Sequence, residues 1–79
     1  MSPTVFRHRS WRFYFFSREE QRMHIHVASP RGEAKFWLEP TVSLAICYGL
    51  PERALRELEK IIEERKDEIK KAWRKHFKS

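Results

Sequence analysis

Met23-His24-Ile25-His26-Val27, followed closely by Ala34-Lys35-Phe36-Trp37-Leu38, decides the fold. Both runs alternate in side-chain character with a period of two, the repeat of a half-buried β-strand. In adjacent strands, that alternation gathers two imidazoles, an ammonium and an indole on one sheet face, with apolar groups behind it. A small sheet with a polar face and a core face is therefore expected. Pro30-Arg31-Gly32 between the runs marks a turn. Pro40, which lacks an amide donor, stops the second run or confines it to an edge.

Upstream, residues 4–8 alternate weakly and residues 11–17 are dense in aromatics, both in the manner of strands, with Arg9-Ser10 as a tight hairpin turn. Residues 17–22 are wholly polar and read as an exposed loop. Residues 41–48 fit either a strand or a short helix, extended chain being the favoured reading. Gly49 ends that segment and Leu50-Pro51-Glu52 opens a helix, since proline is tolerated at its start and Glu52 lies at the positive end of the dipole.

Leu55, Leu58, Ile62, Ile69, Trp73 and Phe77 fall on one helix face through to the C-terminus, widened by Ala54, Ile61 and Ala72. Glu57 with Lys60, Glu63 with Lys66, and Asp67 with Lys70 and Lys71 pair on the other face, each pair adding about 0.2–0.5 kcal/mol. Arg65 interrupts the apolar stripe. A bend, a second helix beginning near Lys66, or an arginine with a packed stem would each account for it. The expected architecture is α+β: one domain over residues 1–79, with three to five antiparallel strands followed by a long C-terminal helix across the apolar sheet face. The histidine face is then left open.

A chain of 79 residues buries only about 60 % of its unfolded surface, so its core is thin. Aromatics supply much of the apolar area. The net charge of +6 favours nucleic acid, an anionic membrane or an acidic protein as counterpart. The lone Cys47 can form neither an internal disulfide nor a thiolate cage, which points to a reducing compartment, the cytoplasm by default. The longest apolar stretch, Phe13 to Phe16, is far short of the roughly 7–15 residues of a signal peptide or about 20 of a membrane helix. No membrane partner is expected.

His24 and His26 project from one face of their strand, a spacing that can hold one metal ion or place two acid–base groups beside a phosphate, the plainer readings being structural or solvent-facing histidines. No further ligand stands at a spacing typical of a metal motif, so neither a metal nor another cofactor is expected. Lys35 could bind an anion and Trp37 could stack on a base or a partner side chain. The plainer reading of that run is an edge strand made safe by charge. Arg7, Arg9, Arg12, Arg18 and Arg22, interleaved with Tyr14 and other rings, match surfaces that grip single-stranded nucleic acid, or simply a solvated rim over an aromatic core.

Pro3-Thr4-Val5-Phe6-Arg7, Arg12-Phe13-Tyr14-Phe15-Phe16-Ser17, His24-Ile25-His26-Val27, Ala34-Lys35-Phe36-Trp37-Leu38 and Ala72-Trp73 with Phe77 together resemble a small prokaryotic family, domain of unknown function number four-one-six-zero. The resemblance covers nearly the whole chain. It departs where Arg22-Met23 replaces a common Pro-Pro and where Pro51 replaces a capping Ser. The resemblance implies a toxin-like component of a type II toxin-antitoxin-like gene pair, with a small antitoxin-like partner protein encoded nearby. Its signature positions fall on His24, His26, Lys35 and Trp37.

The expected function is thus a toxin-like protein acting on RNA. His24, His26 and Lys35 would form the catalytic group, and Arg7, Arg12, Tyr14 and Trp37 would bind nucleic acid or the partner. Replacing both histidines by alanine should then abolish activity and leave the thermal melt nearly unchanged. The alternative is a non-enzymatic module that binds RNA, DNA or protein and is completed by its partner. A homo-oligomer is compatible with either reading.

Overall fold

The computed structural model of the protein describes residues 4–15 and 22–77. Five strands, β1 (Thr4–His8), β2 (Trp11–Tyr14), β3 (His24–Ser29), β4 (Gly32–Trp37) and β5 (Ser43–Tyr48), form one antiparallel sheet in the order of the chain. Two helices follow, α1 (Glu52–Glu64) and α2 (Lys66–His76). The α+β class holds, and the ambiguous run before Gly49 is a strand. The polar loop expected at 17–22 lies outside the described residues apart from Arg22.

The alternation in the sequence sets the two faces. Phe13, Ile25, Val27, Ala34 and Phe36 are buried on one side and join Leu58, Ile61, Ile62 and Ile69 of the helices in a single core. The β1–β2 turn is made by Arg9 and Ser10, with Arg9 at φ 58 in the left-handed region. The β3–β4 turn is equally tight, and Ser29 Oγ accepts a hydrogen bond from the Arg31 amide at 3.1 Å. Irregularities interrupt the ladder at both edges, between Thr4 and Phe6 in β1 and opposite Lys35 and Phe36 in β5.

The single long helix expected from the apolar stripe is corrected to two. Arg65 adopts φ −111 and ψ 21, outside helical values, and caps both α1 and α2. Hydrogen bonding nevertheless continues across it, from the Arg65 amide to the Ile61 carbonyl and from the Ile69 amide to the Arg65 carbonyl, both at 3.0 Å. The result is a one-residue bend. Its cause is lateral: the Arg65 guanidinium lies over the Phe6 ring at 3.6 Å and grips the Glu68 carboxylate through Nε and Nη2, both at 2.9 Å. Of the expected helix-surface pairs, Lys66 meets Glu63 at 3.6 Å, whereas Lys70 reaches off the helix to Glu39 at 3.5 Å.

Two glycines let the β3–β4 turn seat against the end of β5. A Cβ on Gly32 would stand 2.2 Å from the Tyr48 carbonyl oxygen, and one on Gly49, already at φ +73, would stand 2.8 Å from that of Arg31. Gly32→Ala should therefore cost about 1–3 kcal/mol by overpacking backbone that cannot yield, read as a lowered urea midpoint at unchanged slope. Arg65→Lys should be destabilised by about 1 kcal/mol and resemble Arg65→Ala, because an ammonium supplies neither the flat face nor the two-pronged grip. Parallel urea melts of the two variants check this.

Candidate functional site

The site is built by register. In β3 and β4 the directly opposed residues are His24 with Trp37 and His26 with Lys35. Across the other side of β3, Tyr14 opposes His26. Directly opposed residues of an antiparallel pair share a face, with Cβ atoms about 4.5–5.5 Å apart. Tyr14, His26, Lys35 and Trp37 are thereby placed in one band across three strands. Arg12 opposes Arg7 on β1, which extends the band to the first edge.

Stacking joins these side chains into a row. The Arg12 guanidinium lies 4.6 Å from the Tyr14 ring centre, and that ring stacks on His26 at 5.4 Å and 24°. His26 meets His24 edge-on at 5.0 Å, and His24 meets Trp37 edge-on at 5.7 Å. Trp37 carries a cation on the ring from two sources, Lys35 at 4.5 Å and Arg22 at 4.1 Å. Four rings thus run in succession across the sheet with cations stacked at both ends, Arg12 on Tyr14 and Lys35 and Arg22 on Trp37, each favoured by the ring it covers.

His24 is held differently from its neighbour. It is wholly buried, whereas His26 and Lys35 are half-buried. Nδ1 of His24 lies 2.7 Å from the Arg22 carbonyl oxygen. A carbonyl only accepts, so Nδ1 carries the hydrogen and the ring orientation is set by backbone. Trp73 of α2 closes the ring in at 5.1 Å and also meets Phe15 edge-on at 5.3 Å. The open face expected from alternation is corrected for His24 alone: strand pattern assigns a side, but this end of the sheet is capped by a helix residue far along the chain, while His26, Lys35 and Trp37 stay half-buried.

Arg22 and Glu39 fasten this corner. Nε of Arg22 donates to the Glu39 carbonyl at 3.2 Å, and the Leu38 amide donates to the Met23 carbonyl at 3.0 Å, which extends the β3–β4 pairing beyond the strands. All seven residues singled out from sequence lie on one side of the sheet. Arg22, one of the arginines that interleave with rings in the sequence, meets Trp37 of β4 and not a ring of that aromatic run. A shallow pocket on the same face between β4 and β5, lined by His26, Glu33, Lys35, Ile46 and Tyr48 together with Ala34, was missed. The alternation around Ile46 was the only signal for it.

Among the described residues, no three His, Cys, Asp or Glu side chains come together as a metal-binding group. Among the same residues, no helix is long and apolar enough to cross a membrane. His24→Ala should cost about 2–4 kcal/mol, since it opens a cavity among three rings. His26→Ala should cost about 1 kcal/mol or less. This replaces the expectation of an unchanged melt for the double variant, and thermal melts of the two single variants check it.

Comparison with curated proteins and with solved structures finds no match. The model of one family matches residues 10–74, which span β2 to α2 and include the central row from Arg12 to Trp37. The chain belongs to that family, described as Domain of unknown function (DUF4160).

Proposed function

We propose that this protein is the toxin-like component of a prokaryotic two-gene module and acts by seizing single-stranded RNA on its polar sheet face, until a small partner protein covers that face. The row Arg12, Tyr14, His26, Lys35, Trp37 and Arg22 carries the reading: its cations meet phosphates, and the half-buried Trp37 ring exchanges one of its two cations for a base, while the buried Tyr14 holds Arg12 and His26 in place. Arg7 directly opposite Arg12 adds support: like charges so placed repel, and a bound anion relieves the repulsion. The net charge of +6 steers a polyanion toward the protein.

Within this reading, His26 and Lys35 contact the phosphate, and His24 is a positioning residue that holds the His26 ring edge-on. Burial of His24 removes one partner from a two-histidine acid–base scheme. Holding RNA, rather than cutting it, follows.

Fluorescence anisotropy of a labelled single-stranded RNA across a salt series tests the proposal. For single strands log K falls by about 0.7 per phosphate contact for each unit of log salt, so four contacts from Arg7, Arg12, Arg22 and Lys35 give a slope near −3. Arg12→Ala and Lys35→Ala should each remove about 0.7 of that slope. No binding at low salt would overturn the reading. Induction in a bacterial host should stop growth with total RNA intact. Fragmentation that His26→Ala abolishes would instead assign His26 to proton transfer in RNA cleavage.

A further inference from the structure

We infer that the shallow pocket between β4 and β5 is a subsite for one guanine base of the bound RNA, stacked on Tyr48 and read by the Glu33 carboxylate. The inference rests on the RNA reading and names the base it selects. Tyr48 is 60 % exposed and Ile46 45 %, an apolar floor displayed on an otherwise polar face. The pocket volume is about 100 Å³. Sites for whole small molecules run to about 300–1,000 Å³, so this one has room for a single flat ring and not for a cofactor.

Glu33 is the direct cross-strand partner of Tyr48, and Lys35 that of Ile46. A ring lying on Tyr48 therefore presents its edge to a carboxylate, with an ammonium one step along the same strand for the adjoining phosphate. A carboxylate only accepts, through two oxygens side by side. Guanine alone among the four bases offers two adjacent donors on its pairing edge, the ring N–H and the exocyclic amine. Adenine and cytosine set their amine beside an acceptor, and uracil flanks its one N–H with two. Lys35 also offsets the repulsion between Glu33 and the backbone, so a negative group on this basic face is tolerated where it reads a base.

Four five-nucleotide RNAs, each with a central G, A, C or U among uridines, are titrated against the purified full chain at low salt. The G-containing RNA should bind roughly 5- to 150-fold more tightly than the others, the range for one bidentate base contact. Glu33→Gln should erase that preference and leave the all-uridine RNA within about twofold, because an amide both donates and accepts. Tyr48→Ala should weaken all four by a similar factor while Tyr48→Phe does not. Both positions are exposed, so an unchanged melt accompanies each variant. Binding that is blind to the central base, or a preference that survives Glu33→Gln, overturns the guanine subsite and leaves the RNA reading standing. Failure of all four RNAs to bind overturns the RNA reading, and the subsite with it. If Tyr48→Ala alters sedimentation but not affinity, the exposed ring serves pairing of β5 between copies, and the subsite is likewise overturned.

Discussion

The register of β3 against β4 is the constraint on which the rest depends. Because side chains alternate with a period of two, a slip of β3 by one residue against β4 would send His24 and His26 to the core side and bring Ile25 and Val27 out to water, parting the histidines from Lys35 and Trp37. Several features forbid the slip. The two-residue turn fixes the hairpin at one end, and the pairing of Leu38 with Met23 fixes it at the other. Between them, three fully buried or nearly buried apolar groups, Ile25, Val27 and Phe36, anchor the core face. The polar row inherits its spacing from this hairpin, and the outer strands add Tyr14 and Tyr48 in positions dictated by the same ladder.

The bend at Arg65 has a complementary part. A straight helix would keep its apolar stripe in line beyond Ile62. A change of direction at one residue brings Ile69 and Trp73 onto the sheet instead, and Trp73 then reaches Phe15 and His24 together. The same residue that bends the helix fastens β1 through Phe6. One arginine thus links the first strand, the helix path and the cover over the buried histidine. That coupling explains how a thin core in a short chain still encloses a polar ring completely.

Much of this was legible in the sequence. Alternation at Met23 to Val27 and Ala34 to Leu38 identified the central hairpin and the residues that share its polar face. Arg9-Ser10 and Pro30-Arg31 announced the turns, and the apolar spacing from Leu55 announced helix. What escaped notice depends on contacts between distant parts of the chain. The break in the stripe at Arg65 was visible, but its meeting with Phe6 was not, so bend and second helix could not be told apart. Burial of His24 depends on Trp73, and the pocket depends on resolving residues 41–48 as strand. No local pattern shows that Gly32 must lack a side chain; only the approach of Tyr48 does. The matched family fixes relationship and leaves chemistry to these contacts.

β5 is an edge strand with no charged residue from Ser43 to Tyr48, and Leu44, Ile46 and Tyr48 stand exposed on it. Natural sheets ordinarily protect such an edge with lysine, proline or a covering element. Here the irregularity opposite Lys35 and Phe36 supplies a local protection, and a second one is held at a distance, in the excess positive charge that keeps copies apart in dilute salt. That shield is colloidal and shrinks with the Debye length, from about 10 Å at 0.1 M salt to about 3 Å at 1 M. A polyanion that neutralises the sheet face would dissolve it altogether, so occupancy of the face and the tendency of the protein to condense into larger particles are tied together by electrostatics alone.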